Sequence, residues 1–384
     1  MKKFLIFSAM FVCLFVVLSF TAFADEPEEV IVPETGVAET IIEDDPVPGE
    51  LPETYVSSDP NNNYLYSSRL YLVQNKKTGF AIRYTYPSSL YQAPINNSTC
   101  NQNSVDFLPS GILIHIIYTG SNSNYYLKVG GKYISVSGTT VTISTSSFTW
   151  HITEQNDTYF KISPSNNSSY SLGVVNSSSG SSIVLNTGTG DWNRWDLLMT
   201  LDVPTVTQAT DYYCGPASVL QINQYSETDS IIVPGDTPSA QQGYLANQAG
   251  TTPDDGTSVG GVLSILNAWN SVGSYGWKSG ADYNWSITLF KDIVYDDLVV
   301  GKPDILKGPT NYLSYYYNAT YYHYICIIGI SANSGRSRMV LNDCINNANY
   351  NGIHIVETAE AYQVLTDMNQ NGLLIHCNYA NMYH

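Results

Sequence analysis

Trp150 and Trp195 close two copies of one pattern, and that repeat constrains the fold of the first half more than any other feature. Leu127 precedes Trp150 by the same interval as Leu172 precedes Trp195. Each copy reads Tyr-x-Leu-x-Val, then a Gly/Ser turn, a β-branched run and the closing tryptophan. Phe80, in NKKTGFAIRY, stands one repeat of roughly 45 residues before Leu127. Its closing segment, FLPSGILIHIIY, lacks the tryptophan. Between these markers, residues 61–200 alternate short apolar runs with Gly, Ser and Asn, and a helical period is almost absent. Such a stretch reads as short strands joined by closely spaced turns. The two tryptophans are expected in the core rather than on a ligand platform, because large aromatics bury most of their area.

The amino terminus has a different character. MKKFLIFSAMFVCLFVVLSFTAFADEP places two lysines before an apolar run that ends in Ala22-Phe23-Ala24. This is the pattern of a secretory signal peptide, residues 1–24, and the acid that follows at once favours cleavage over a membrane anchor. No later segment has the length and apolarity of a membrane span, so the expected mature chain is secreted, extracellular or surface-associated, with no transmembrane segment. Residues 25–60 hold twelve Asp and Glu, no Lys or Arg, and recurrent prolines. They read as an acidic disordered linker or pro-segment, with too little apolar surface to offset the entropy of ordering.

The formal charge of the chain is −17. Setting aside Lys2, Lys3 and the twelve linker carboxylates leaves −7 on the remainder. Nothing here is basic enough to hold a phosphate backbone, so nucleic acid is excluded as a partner. Cys100, Cys214, Cys326, Cys344 and Cys377 remain after Cys13 is removed, and an odd count in a secreted chain implies an unpaired thiol. Their spacing has no CxxC and no paired Cys/His pattern, so neither a metal nor a cofactor is expected.

The texture changes at Leu201. In LDVPTVTQATDYYCGPASVLQINQYS, Ala217, Leu220, Ile222 or Asn223, and Tyr225 fit a helix with Pro216 in its first turn. Cys214 then sits at the helix N-terminus, where the macrodipole and free N–H groups favour a thiolate. A nucleophilic cysteine needs a base. His323 lies in YYHYICIIGISANSGRSRMVLND, which reads as a hairpin turning near Asn333. In that register His323 faces Asp343, and a slip of one residue would bring Asn342 there instead. Cys326 reads as core, and on the same register it is too far from Cys344 for a disulfide. His354 and His376 have no evident partner in the sequence.

Two resemblances follow from these residues. The three units of residues 61–200 resemble a ricin-type β-trefoil, which implies an all-β domain and leaves carbohydrate binding open, with no sugar-contacting residue assigned. Gln208-x5-Cys214-Gly-Pro-Ala, then VVGKPDIL, then His323-Tyr, then Asp343 resembles the bacteriocin-processing type of papain-like cysteine peptidases (family 39-like), over roughly residues 201–366. That resemblance implies Cys214 as nucleophile, His323 as general base and then acid, Asp343 as its orienting partner, and Gln208 as an oxyanion-hole donor beside the Cys214 backbone N–H. The chain departs from the family in having Cys344 after Asp343 where Asp-Pro is frequent. It also has a long tyrosine-rich stretch, NYLSYYYNATYYHY, expected to pack against the first half rather than to line substrate.

The expected architecture is thus multidomain: an all-β trefoil-like domain at 61–200 and an α+β papain-like cysteine peptidase domain at 201–384. The expected function is hydrolysis of a peptide or protein substrate by a secreted cysteine peptidase. The competing reading is a non-catalytic adhesion or carbohydrate-binding protein with a degenerate site. The Gln-Cys-His-Asp set separates the two, since a binding module has no use for it. The double-glycine leader substrate of the bacteriocin-processing enzymes is not carried over, because those enzymes have transport domains and none is recognisable here.

Overall fold

The computed structural model describes residues 65–66, 69–86, 89–95, 100–155, 158–225, 231–270, 274–281, 285–317, 319–367 and 372–377. The expected signal peptide and acidic segment lie outside them. Among the described residues no helix is long and apolar enough to cross a membrane. The chain is mostly β.

Six strands of the first half close into a barrel: Leu70–Asn75, Leu113–Tyr118, Asn124–Val129, Thr149–Gln155, Tyr159–Pro164 and Trp195–Thr200. Each is antiparallel to the next, and the last pairs back onto the first, with Val73 opposite Leu197. Closure removes the exposed edges that an open sheet would carry. Three hairpins interrupt this ring: Ala81–Thr85 with Ser89–Ala93, Lys132–Ser137 with Thr140–Ser144, and Ser171–Val174 with Ile183–Asn186. The order barrel strand, hairpin, barrel strand therefore occurs three times.

Both repeat tryptophans are fully buried, and each indole N–H reaches a hairpin carbonyl: Trp150 to Ile134 at 2.8 Å and Trp195 to Leu172 at 2.9 Å. The closing positions are thus equivalent, but the leucines are not. Leu127 lies in a barrel strand, whereas Leu172 lies in a hairpin strand and matches Ile134. The equal spacing is a coincidence of connection lengths. Gly130 and Gly131 alone join barrel strand to hairpin in the second unit, while residues 165–170 do so in the third.

In the second half an antiparallel sheet runs Tyr275–Ser279, Leu373–Cys377, Asp304–Pro309, Tyr322–Ser331, Arg338–Asp343 and Gly352–Glu357. Its helices are α1 (Cys214–Tyr225), α2 (Pro238–Gln248), α3 (Val259–Trp269), α4 (Ile287–Val299) and α5 (Thr358–Thr366). Side-chain N-caps fix three starts, with Thr237, Ser258 and Ser286 each accepting a backbone N–H. Helix α1 is buried at every position but Gln224, packed between the strand Tyr322–Ser331 and helices α2 and α3. Burial all round requires its polar side chains to find partners. Ser218 donates to the Tyr324 carbonyl, and Asn223 donates to the carbonyls of Ile231 and Trp269.

Barrel and second half share one sheet. The strand Trp195–Thr200 closes the barrel and also pairs with Tyr322–Ser331, Met199 opposite Ile330. The two backbones approach so closely that a Cβ on Gly329 would lie 2.6 Å from the Met199 carbonyl oxygen. A bulge between Ile327 and Gly329 accommodates this crossing. At the junction the buried Asp196 accepts from the Ser331 hydroxyl at 3.0 Å, and Arg338 stands 3.7 Å away. Burial pushes the Asp196 carboxyl up to about 6, against the pull of Arg338 and Ser331.

Candidate active site

Cys214 is the first residue of α1 and only 8% exposed. The turn that delivers it depends on Gly215, where a Cβ would meet Thr257 and Val262 at 2.9 Å. His323 enters from the second residue of its strand, and Asp343 is the last residue of the neighbouring one. The two side chains meet at 2.9 Å, Nε2 to Oδ1, with His323 buried and Asp343 fully buried. Nε2 is thereby committed to the carboxylate, and the Cys214 thiol and the His323 ring each shift the other's charge state.

The His323–Asp343 contact agrees with the sequence reading, but the register behind it does not. Cys326 pairs with Asn342 and Ile327 with Leu341, two residues away from the expected alignment. The turn centre lies later, and the bulge at Ile327/Gly329 shifts the strand again. The side chains meet because a shift of two residues keeps Asp343 on the same face, diagonal to His323.

The tyrosine-rich stretch packs differently from expectation. Tyr315 and Tyr316 do not turn to the barrel. Their hydroxyls donate to Asp343 Oδ2 at 2.9 and 2.7 Å, and the Ile345 N–H donates to Oδ1 at 2.9 Å. Tyr315 stacks on His354 with centroids 3.7 Å apart, and Tyr316 stacks on Tyr350 at 4.6 Å. His354 in turn places Nε2 at 2.7 Å from the Tyr350 carbonyl. Asp343 thus has four donors. Sequence reasoning missed both tyrosines. The available signal was a buried carboxylate needing more than one donor and a run of phenols upstream of the histidine.

These contacts set the charge states. Burial alone would raise the Cys214 thiol, but the hydrogen bond and positive charge of His323, with the N–H groups of Tyr324 and Gly215, bring it below its ordinary value. Burial would lower His323, yet the Asp343 charge outweighs it, and His323 stands well above an ordinary imidazole. Burial would raise Asp343, but the His323 charge and the hydrogen bonds from His323, Ile345 and Tyr316 hold it below the usual carboxylate range. Together these directions describe a thiolate beside an imidazolium. Cys344 lies 3.9 Å from His323 Nε2 and is fully buried; burial keeps that thiol raised, hence protonated. His323, Asp343 and Cys344 are close enough together to hold a metal ion, but Asp343 is already saturated with donors, which does not fit a ligand role.

Gln208 is buried. Its backbone N–H donates to the Cys344 carbonyl at 2.7 Å, which ties it to the chain just past Asp343. Its side-chain Oε1 is buried with no hydrogen-bond partner among the described residues. The segment GKP at 301–303 leads into the strand Asp304–Pro309, which lies between Tyr322–Ser331 and Leu373–Cys377. Gly308 of that strand faces His323. All five described cysteines are free thiols.

Residues 200–370 match the model of the Peptidase_C39 like family. That match supports a cysteine peptidase domain over the stretch that contains Gln208, Cys214, His323 and Asp343. No curated protein matches the chain. Among solved structures, prointerpain A of Prevotella intermedia is similar at 12% identity, covering 71% of this chain and 98% of that one, with a TM-score of 0.31. A Polyporus squamosus lectin bound to an influenza-binding sialoglycan epitope is similar at 11% identity, covering 79% of this chain and 96% of that one, TM-score 0.29. SeviL bound to asialo-GM1 saccharide is similar at 13% identity, covering 34% and 95%, TM-score 0.27.

Proposed function

We propose that the chain is a secreted cysteine peptidase whose residues 201–384 hydrolyse peptide bonds through Cys214, His323, Asp343 and Gln208. One observation carries this reading: a fully buried aspartate holds Nε2 of a buried histidine at 2.9 Å, and that histidine lowers the thiol of a cysteine at a helix N-terminus. The Cys214 thiolate attacks the scissile carbonyl carbon. The resulting oxyanion takes hydrogen bonds from the Cys214 backbone N–H, which as the first residue of α1 has no intrahelical acceptor, and from the Gln208 side chain. The His323 imidazolium gives its proton to the leaving amine as the carbon–nitrogen bond breaks. Neutral His323 then takes a proton from water, whose oxygen attacks the thioester, and the thiolate leaves. Asp343 keeps the imidazole oriented throughout.

The barrel is proposed to be a β-trefoil that anchors the enzyme to a carbohydrate-bearing surface. Its support is the threefold order of barrel strand, hairpin and barrel strand. Residues 1–24 are proposed to be removed on secretion, with residues 25–60 as linker or pro-segment.

The test is cleavage of model peptides by the full chain and by Cys214→Ala. The wild type is expected to cleave, and the variant to fold and lose turnover. Activity should rise with pH through the lowered Cys214 value, plateau, and fall as His323 loses its proton. Full activity in Cys214→Ala would remove the assignment. If the wild type cleaves nothing and Cys214 alkylates no faster than free cysteine, the non-catalytic binding reading replaces it.

A further inference from the structure

One cation near the site has no role in the scheme above. Lys307 lies on the strand Asp304–Pro309, opposite Tyr324 and one residue before the glycine that faces His323. Its ammonium sits between two phenol rings, 4.9 Å from the centre of Tyr322 and 4.8 Å from that of Tyr324. Tyr324 is fixed from behind, donating its hydroxyl to the Thr257 carbonyl at 3.1 Å. Tyr322 is 44% exposed, so the cage opens to solvent on that side. Among the described residues, neither a hydrogen bond nor an ion pair is found for the Lys307 ammonium.

This arrangement costs free energy unless something uses it. Partly burying an ammonium is unfavourable, and two ring faces offset part of that. Burial lowers the Lys307 ammonium from its ordinary value, and the nearby Cys214 charge offsets only part of that. His323 and the Tyr324 and Gly215 N–H groups are the larger causes that bring Cys214 down. Asp367 influences Tyr322 but is not among the groups that influence Lys307. What remains is a partly buried positive charge, held by two rings, within electrostatic reach of the attacking sulfur.

We propose that Lys307 receives a substrate carboxylate next to the scissile bond, so that this peptidase selects acidic peptides. The proposal rests on the peptidase reading above. An incoming Asp or Glu side chain, or a free C-terminal carboxylate, would pair with the ammonium on the side where Tyr322 is exposed. Charge-assisted hydrogen bonds of this kind contribute about 1.5–3 kcal/mol, which corresponds to roughly 10- to 100-fold in selectivity.

Two measurements test this. The first compares kcat/KM on peptides that differ only as Glu against Gln or Asp against Asn beside the cut. The wild type should prefer the acid by about 10- to 100-fold. Lys307→Gln should bring the ratio near one, Lys307→Glu should turn it toward Lys and Arg peptides, and Lys307→Arg should keep it. The second needs no substrate: the rate at which Cys214 reacts with iodoacetate, an anion, divided by its rate with neutral iodoacetamide. The wild-type ratio should exceed that of Lys307→Gln several-fold, and Lys307→Arg should restore it. A lysine that only supported the fold would slow both reagents alike and leave the quotient unchanged. Equal quotients in wild type and Lys307→Gln overturn the proposal, as does an absent acid preference in an enzyme that cleaves. If no peptide is cleaved, the peptidase reading fails by itself, and the alkylation quotient still decides whether Lys307 draws anions to Cys214.

Discussion

The strand Asp304–Pro309 has a buried carboxylate–histidine cluster near each end, and the two are built in opposite ways. At the end facing His323, Asp343 lies 2.9 Å from the imidazole and takes three further donors from Tyr315, Tyr316 and Ile345. At the other end Asp304 faces the Asp297 carboxylate, and neither Asp304 oxygen has an N–H or O–H donor among the described residues. His376 stands 3.7 Å from Asp297, and its Nε2 is buried without a partner among the described residues. Both aspartates are fully buried. One is held below the usual carboxylate range, against its burial; the other is driven well above it by burial and by the charge of Asp297. Burial therefore does not decide the charge of a buried acid. The donors within reach decide it: Asp343 has four, whereas at the other end the Cys377 N–H donates to Asp297 and Asp304 has none among the described residues.

The largest expected effect breaks the saturated end. Asp343→Ala leaves two phenols, one backbone N–H and an imidazole facing a void. Removing one partner of a buried, hydrogen-bonded charge pair typically costs about 3–5 kcal/mol, and that loss is expected in denaturant unfolding at neutral pH. Peptide cleavage should fall as well, by less than in His323→Ala, because the base remains although its orientation is lost. A stability change near zero would mean that the four donors find water, and the contrast between the two ends would collapse.

Gln208 sharpens the comparison on the kinetic side. Its tether to the Cys344 carbonyl places it just beyond Asp343, outside the network of donors. Gln208→Ala should lower kcat by roughly 10²- to 10³-fold, as for loss of one oxyanion donor, while the unfolding midpoint moves little. Loss of stability in place of rate would make Gln208 a packing residue.

Asp304→Asn reverses the sign. An amide keeps the shape, removes one of two facing acids and supplies N–H donors to Asp297. With a folded value raised above the unfolded one, Asp304 contributes stability that is full below the unfolded carboxylate range. That contribution is lost as pH rises through the folded value. The variant should therefore match the wild type in acid and be more stable, by about 1 kcal/mol or more, on the alkaline side. Urea unfolding at a series of pH values tests this. A uniform loss at every pH would show that Asp304 is paired after all.

This asymmetry also explains what the sequence could reveal. Cys214 was legible because a proline in the third position of a helix and a glycine beside the cysteine leave a local signature. His323 and Asp343 were legible as the two arms of one hairpin, although their register was not: the Ile327/Gly329 bulge depends on how close the Met199 carbonyl comes, and that is a contact across more than a hundred residues. Trp150 and Trp195 gave the repeat, but the leucines misaligned it, because connection length varies between units while side-chain type does not. Tyr315 and Tyr316 were invisible as Asp343 donors, since a phenol-rich loop looks alike whether it covers a barrel or a carboxylate. The Asp297–Asp304 pair leaves no local pattern at all. It forms only when the end of α4 and the start of the central strand are folded together.

The smallest expected effect is the most specific. Tyr316→Phe deletes one hydroxyl and keeps the ring stacked on Tyr350. Asp343 Oδ2 retains Tyr315, so the carboxylate stays ionised with three donors in place of four. A net hydrogen bond to a charged group is worth about 1.5–3 kcal/mol, and the surviving phenol should recover part of it, so a loss of about 1 kcal/mol in stability is expected. The informative readout is the pH profile. With one donor fewer, the Asp343 carboxylate pairs more strongly with the imidazolium, so the alkaline limb of kcat/KM, where His323 loses its proton, should move to higher pH. The acid limb, set by Cys214, should move little. The same substitution at Tyr312 serves as control, because that hydroxyl donates to Asp367 at 2.8 Å and not to Asp343. An alkaline limb that moves in both variants alike would separate the shift from Asp343. A shift in Tyr316→Phe alone would show that the tyrosine-rich stretch sets the charge of the site as well as packing over it.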